Sequence, residues 1–381
     1  MRSDAVVPAV TVAAPAKARV RDPRLDFFRG YGMYVILIAH IPLDPWDFWI
    51  PPRFGFSDST EIFVFLSGIA SAIAFGSTFD RRGFWLGLAR VAFRIWQVYW
   101  VHVGVFVAGV AVLAAAGTMP GGISYLHDRN LDFLTASPGA AIAQFLALVW
   151  VPNYFDILPM YLVLLAMMPV MLALEKLDRK LPIAVSAALW LAVQTGALDL
   201  PGEGGEQQNW FFNPFAWQVL FYTGFFLKRG AIPAPPRSRA LLVAAGVFLV
   251  GSIPFAWKGI VDGSDFFGAV FEALEPITDK TRFAVLRPLH FAAIAYLAYH
   301  FVPPTSRLLH ARFAGVVRTV GQQSLAVFAS SIVLAQILGV ALDLTGRTDV
   351  AAVAAVNIAG LAVLTAVAFT AAWFKSAPWK A

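Results

Sequence analysis

A histidine near the end of an apolar stretch is the first candidate for chemistry in this sequence. The stretch RLDFFRGYGMYVILIAHIPL covers residues 24–43 and contains Arg29 and His40, which are 11 residues apart. In an α-helix this separation is close to three turns, so both side chains leave one face, about 16 Å apart along the axis. An imidazole deep in a membrane helix is a candidate for catalysis. A snorkelling or hydrogen-bonded structural histidine is the alternative.

Two carboxylates open the next apolar stretch, at the depth that we predict for His40. Asp58 and Glu61 are three residues apart in SDSTEIFVFLSG and therefore share a helix face. A carboxylate can orient an imidazole and stabilise its charged form, so we predict His40 and Glu61 as catalytic residues, with His40 as a general base. A structural hydrogen bond between the two helices is the competing interpretation.

Two arginines predict an anion site nearer the cytoplasmic side of the membrane. Arg90 and Arg94 lie in LARVAFRIW, four residues apart on one face of the third apolar stretch. Paired guanidinium groups suit phosphates. Snorkelling to lipid headgroups is the alternative for both side chains.

Further polar residues stand at the outer mouths of two later stretches. Asn153 and Asp156 come just before a proline in VPNYFDILPMY, where a broken helix can line a cavity, although helix capping is a plainer role. Arg287 and His290 open RPLHFAAIAYLAYH, and Arg287 is a candidate to hold a carboxylate or a sugar hydroxyl, with interfacial snorkelling as an equal competitor. We predict the following substrate-binding residues: Arg29, Asp58, Asn153, Asp156, Arg287 and His290.

The composition places all of these residues in an integral membrane protein. Of the 381 residues, 59% are hydrophobic and 14% are charged, and the mean hydropathy is +0.69. That is too apolar for a single soluble domain. The net charge of +6 arises from Lys and Arg between apolar stretches, which favours topology signals over nucleic-acid binding. The absence of cysteine excludes disulfides and thiolate metal sites, and the six scattered histidines indicate no metal.

Apolar stretches of spanning length predict an all-α, polytopic transmembrane helix bundle. The ten predicted spans are residues 25–43, 59–78, 84–116, 155–175, 182–198, 212–228, 239–257, 287–303, 319–341 and 350–374. A shorter stretch, 139–151, is predicted to be a re-entrant or interfacial helix.

The placement of Lys and Arg in the connecting loops predicts that both termini are cytoplasmic. Residues 1–23 are a predicted disordered cytoplasmic tail because prolines interrupt their only apolar run. Residues 24–375 form the predicted transmembrane domain, and 376–381 a cytoplasmic C-terminal tail.

Three sequence blocks in order, RLDFFRG followed by His40, then TEIFVFLSG and NYFDILPMY, resemble the OpgC family of membrane succinyltransferases. That family modifies osmoregulated periplasmic glucans and belongs with the wider acyltransferase-3-like membrane acyltransferases. The similarity extends over nearly all of residues 21–375. It implies a bacterial inner-membrane enzyme that transfers an acyl group from cytosolic succinyl-CoA, or another acyl-CoA, to a carbohydrate hydroxyl on the far side.

The resemblance also implies roles for particular residues. His40 is similar to the catalytic histidine of the family, and Arg29 to the arginine spaced from it. Arg90 and Arg94 lie where the wider family has a basic motif that binds the coenzyme, although their spacing is one residue longer than the usual Arg-x-x-Arg. If the donor is succinyl, Arg287 is the expected partner of its free carboxylate. Direct transfer and an acyl-histidine intermediate are both open.

We therefore expect acyl-CoA, a periplasmic oligosaccharide or glucan and membrane lipids as partners, without metal or nucleic acid, and we allow for a homodimer. One alternative is a transporter or flippase for a saccharide or organic anion, which would use the same buried polar residues. No inverted repeat is evident in the sequence to support it. A second alternative is acetyl transfer to another surface polysaccharide. Release of coenzyme A without net movement of substrate distinguishes an enzyme from a carrier.

Overall fold

The computed structural model describes residues 22–119, 124–202 and 209–380. Within these ranges the secondary structure is helical, and extended residues pair in one isolated antiparallel bridge, between Pro201 and Asn209. Residues 1–21 of the predicted N-terminal tail and residue 381 of the predicted C-terminal tail lie outside the described residues.

Helices follow one another closely along the described chain. The α-helices are α1 (Pro23–His40), α2 (Ser59–Ser71), α3 (Ser77–Arg82), α4 (Phe84–Gly117), α5 (Asp132–Ala136), α6 (Pro138–Leu146), α7 (Ile157–Leu177), α8 (Leu181–Gln194), α9 (Pro214–Arg229), α10 (Arg239–Ser252), α11 (Lys258–Val261), α12 (Asp265–Thr278), α13 (Leu286–Phe301), α14 (Arg307–His310), α15 (Arg312–Gln322), α16 (Ser324–Thr345) and α17 (Val350–Ser376). A π-helical turn, Ala72–Gly76, makes α2 and α3 one continuous run.

The predicted spans coincide with helices, but their number remains a prediction. Five helical segments are long and apolar enough to cross a membrane: Ser59–Arg82, Phe84–Gly117, Ile157–Leu177, Ser324–Thr345 and Val350–Ser376. The other five predicted spans correspond to α1, α8, α9, α10 and α13, which have 18, 14, 16, 14 and 16 residues. The cytoplasmic location of the termini likewise remains a prediction.

The structure corrects the sequence analysis at two places. The predicted ninth span, 319–341, begins too early, because Gln323 leaves the helical conformation and separates the amphipathic α15 from the apolar α16. Residues 258–286, between the predicted seventh and eighth spans, contain α11 and α12, which are not among the predicted elements. The apolar side chains of α12 recur on one face, a pattern that the Pro and Gly content of the loop obscured.

Glycines bring α1 and α2 close to their neighbours. A Cβ atom on Gly30 would overlap the carbonyl oxygen of Val317 in α15, and one on Gly68 would overlap that of Phe221 in α9. Glycine lets the backbones touch at both crossings, as is typical of packed membrane helices. α1 also contacts α2, α16 and α17. The helices that carry the candidate catalytic residues are therefore held in the centre of the bundle.

Candidate active site

The beginning of α2 positions two carboxylates. The carboxylate of Asp58 accepts a hydrogen bond from the amide of Thr60 at 2.7 Å, and the carboxylate of Glu61 accepts one from the amide of Asp58 at 2.8 Å. This reciprocal capping box satisfies amides that the first helical turn leaves without helical partners. The side chains of Asp58 and Glu61 thus cap the beginning of α2, and the same spacing places both acids at its N-terminus.

Arg287, in the first turn of α13, joins both carboxylates. Its Nε donates to Glu61 Oε1 at 2.7 Å and its Nη2 donates to Asp58 Oδ2 at 3.2 Å. Arg287 and Glu61 are both buried. Buried charges are tolerated only when they are paired and hydrogen-bonded, and these three groups fulfil that requirement together. Arg287 was expected to bind a substrate carboxylate, but its guanidinium is already neutralised by two carboxylates of the protein.

Lys280 completes what we call the charged cluster, formed by Asp58, Glu61, Lys280 and Arg287. Its Nζ donates to Asp58 Oδ2 at 2.6 Å and lies 5.4 Å from the ring centroid of Phe212. Burial opposes ionisation of Asp58, but the charges of Lys280 and Arg287 hold the pKa of that carboxyl well below its usual range. Lys280 is not among the residues predicted from the sequence, because its one hint there is its position seven residues before Arg287.

His40 is the last residue of α1, and a backbone contact fixes its tautomer. Its Nδ1 lies 2.7 Å from the carbonyl oxygen of Ile36, one turn earlier. A carbonyl oxygen only accepts hydrogen bonds, so Nδ1 carries the proton and Nε2 presents its lone pair. The half-buried ring stands edge-on to Tyr154, with centroids 6.0 Å apart. An imidazole in this tautomer is ready to accept a proton.

The expected contact between Glu61 and His40 is not what the structure shows. Glu61 binds Arg287 and the capping amide, whereas the Ile36 carbonyl orients the His40 ring. The physical reason is that a fully buried carboxylate takes the nearest permanent cation in preference to a neutral imidazole.

Contacts at the other end of the chain secure the segment that follows His40. Arg347 Nη1 donates to the carbonyl oxygens of Pro42 at 2.6 Å and Leu43 at 3.1 Å, and its Nε donates to Asp343 at 2.7 Å. The next residue, Asp44, accepts a hydrogen bond from Asn357 of α17 at 3.0 Å. The exit from α1 is therefore tied to α16 and α17, which limits the positions that the His40 ring can take.

The remaining outer residues lie close to these elements. Asp156 is buried at the N-terminus of α7. Asn153 is half-buried three residues earlier, beside the left-handed Tyr154. The ring of His290 is buried, and its Nδ1 shares a hydrogen bond of 2.7 Å with the hydroxyl of Ser57, next to Asp58.

The predicted cytoplasmic arginines are separate from the charged cluster. Buried Arg29 donates to the carbonyl of Leu66 at 2.9 Å and joins α1 to α2. Arg90 is exposed and donates to the hydroxyl of Thr78 at 2.5 Å, whereas Arg94 is half-buried and donates to Gln97 at 3.4 Å. Their partners are neutral, so both guanidiniums keep a net positive charge.

The comparisons with known proteins concern the family of the chain and not its individual residues. In the described part of the chain, His, Asp and Glu side chains do not gather in any group of three or more that could hold a metal ion. Searches of curated proteins and of solved structures find no match. The family model described as OpgC protein matches residues 21–376, which is nearly the whole sequence. By this match the chain belongs to the OpgC family, which indicates a glucan-modifying acyltransferase of the membrane.

Proposed function

We propose that this protein is an acyltransferase-3-like enzyme of the bacterial inner membrane that moves a succinyl or related acyl group from cytosolic acyl-CoA to a hydroxyl of a periplasmic glucan. Membership of the OpgC family supports the reaction class. The observation that carries the mechanism is the hydrogen bond from His40 Nδ1 to Ile36, because it leaves Nε2 as a base.

In the proposed reaction, His40 Nε2 removes the proton from the sugar hydroxyl. The sugar oxygen attacks the thioester carbonyl and forms a tetrahedral adduct. The carbon–sulfur bond then breaks, and the leaving coenzyme A thiolate takes the proton back from the imidazolium. A route through an acyl-histidine, in which Nε2 itself attacks the thioester, uses the same tautomer.

The two substrates approach His40 from opposite sides. We assign the donor phosphates to Arg90 and Arg94, whose guanidiniums have neutral partners. Arg29 lies on the cytoplasmic side of His40 in the predicted first span and is assigned to the donor path. The acceptor sugar is assigned to the outer residues Asn153, Asp156 and His290. Asp58 and Glu61 support this region through the charged cluster.

Transfer across a sealed membrane tests this proposal. The protein is reconstituted with its predicted cytoplasmic face inwards, with labelled succinyl-CoA inside the vesicles and a glucan outside. We expect coenzyme A to accumulate inside and a succinyl ester to appear on the outer glucan in equal amounts. Movement of glucan or of an organic anion without release of coenzyme A would show that the protein is a carrier and not an enzyme. An acetyl ester formed in preference from acetyl-CoA would change the acyl group.

A further inference from the structure

Lys280 can bind a further partner, whereas Arg287, the other cation of the charged cluster, already binds two carboxylates. An ammonium has three N–H donors, and the hydrogen-bond partner of Lys280 among the described residues is Asp58. Arg287, in contrast, uses its guanidinium for both Asp58 and Glu61. The side chain of Lys280 is 29% exposed and that of Arg287 is 10% exposed. Lys280 is therefore the cation of the cluster that a substrate can reach.

The chain around Lys280 is fixed to the helix bundle. Trp217 Nε1 donates to the carbonyl of Lys280 at 3.0 Å, and the amide of Asn213 donates to the carbonyl of Thr281 at 3.2 Å. Trp190 Nε1 donates to the carbonyl of Phe283 at 3.0 Å. The segment holds the Lys280 ammonium in one place, as a binding residue requires.

The relation of Lys280 to His40 limits what this ammonium can bind. Arg29 of α1 bonds to Leu66 of α2 and Gly32 packs against Ile62, so the two helices run antiparallel. The end of α1 at His40 therefore lies beside the beginning of α2 at Asp58, the partner of Lys280. No hydrogen bond joins Lys280 to His40 in the described residues, so a group bound to Lys280 while the reacting carbonyl lies at His40 is another part of the same substrate. In a four-carbon dicarboxylic acyl group, the carbons of the two carboxyl groups are about 4 Å apart when extended, from ordinary bond lengths.

We propose that Lys280 binds the free carboxylate of a dicarboxylic acyl donor and selects this donor over neutral acyl groups. This inference rests on the proposed function. A sugar hydroxyl is neutral and gains less from an ammonium than a carboxylate does. The ring of Phe212 beside the ammonium and the partial burial of the site reduce competition from water.

Competition between two donors of equal length tests the assignment. Succinyl-CoA and butyryl-CoA both carry four-carbon acyl groups, and only succinyl has the terminal carboxylate. For wild-type protein we expect a higher kcat/KM with succinyl-CoA. Lys280→Met keeps the length of the side chain and removes the charge, and we expect the succinyl-to-butyryl ratio of kcat/KM to fall about 10- to 100-fold, chiefly through KM for succinyl-CoA. Lys280→Arg should restore most of the ratio.

Arg282→Met is the matched control, because it removes a positive charge from an exposed side chain of the same segment. It should leave the ratio unchanged. An unchanged succinyl-to-butyryl ratio in Lys280→Met, or an equal fall of that ratio in Arg282→Met, would overturn the assignment of Lys280. Succinyl transfer by wild type would still support the proposed function in either case. Absence of transfer from both donors by wild type would overturn the proposed function itself, and this inference with it.

Discussion

Arg287 Nε lies 2.7 Å from the carboxylate of Glu61, although the two residues are 226 positions apart in the chain. The pair connects the beginning of α13 to the beginning of α2, and both side chains are buried. It explains why neither residue is available for the contact first expected of it: Glu61 does not orient His40, and Arg287 is not open to a substrate carboxylate.

The two charges of this pair should be coupled in their effect on the stability of the protein. We expect Arg287→Met to lower the free energy of unfolding by about 3–5 kcal/mol, because Glu61 would be left buried with one cation fewer. In the double variant Arg287→Met/Glu61→Gln the loss should be smaller than the sum of the two single losses by more than about 1 kcal/mol. Thermal unfolding in detergent measures the losses of stability in the two single variants and in the double variant. Additive losses would show that the pair is not coupled.

Asp58 should make stability depend on pH in the acidic range. Its pKa in the folded protein is well below the ordinary value of 3.8, mainly because Lys280 and Arg287 overcome the effect of burial. A lowered pKa stabilises the fold fully above the unfolded-state value, and the contribution disappears as pH falls through the folded-state value. Wild type should therefore be more stable than Asp58→Asn at pH 7, and the difference should shrink below about pH 4.

Unfolding temperatures of the two proteins between pH 7 and pH 3 measure this effect. Asp262→Asn, which alters an exposed carboxylate in the same outer region, is the control. A constant difference between wild type and Asp58→Asn over the whole range would contradict the role of the ion pairs.

The contacts of Arg347 predict an effect on turnover from a residue that does not meet the substrates. Arg347→Met releases the carbonyls of Pro42 and Leu43, so the end of α1 can shift. A misplacement of about 1 Å at a reacting group can cost up to about 100-fold in rate. We expect kcat for transfer to fall by about 10- to 100-fold while KM for the donor changes little. A rise in KM with unchanged kcat would assign Arg347 to binding instead.

Donor binding should depend on the two arginines of α4. We expect Arg90→Gln/Arg94→Gln to weaken binding of a non-reactive acyl-CoA analogue at least about 10-fold, because two charge-assisted contacts to phosphates are removed. Turnover of donor that is already bound should change less. The double variant Arg81→Gln/Arg82→Gln alters two exposed arginines nearby and controls for net charge. Equal affinity in both double variants would reject the phosphate site.

The helices were largely predictable from the sequence because each apolar stretch carries its own signal. The boundary between α15 and α16 was not, since Gln323 carries no strong signal for a helix end. α12 was also missed, because the Pro and Gly of its surroundings suggest a loop.

Three members of the charged cluster, Asp58, Glu61 and Arg287, were singled out from the sequence, but their contacts with one another were not predicted. Asp58 and Glu61 were found because they share one helix with a clear start signal. Their partner Lys280 could not be found in this way, because it lies 222 residues further along the chain and reaches Asp58 only through the packing of α13 and its preceding segment against α2. The same long-range packing decides that Glu61 pairs with Arg287 and not with His40.

The most direct test is single-turnover transfer from bound, labelled succinyl-CoA to a glucan by wild type and by His40→Gln. His310→Gln, which changes an exposed histidine on α14, is the control. We predict that His40→Gln folds and binds the donor but transfers at least about 100-fold more slowly, whereas His310→Gln matches wild type. Wild-type transfer by His40→Gln would contradict the account, because no base would then be required at the end of α1.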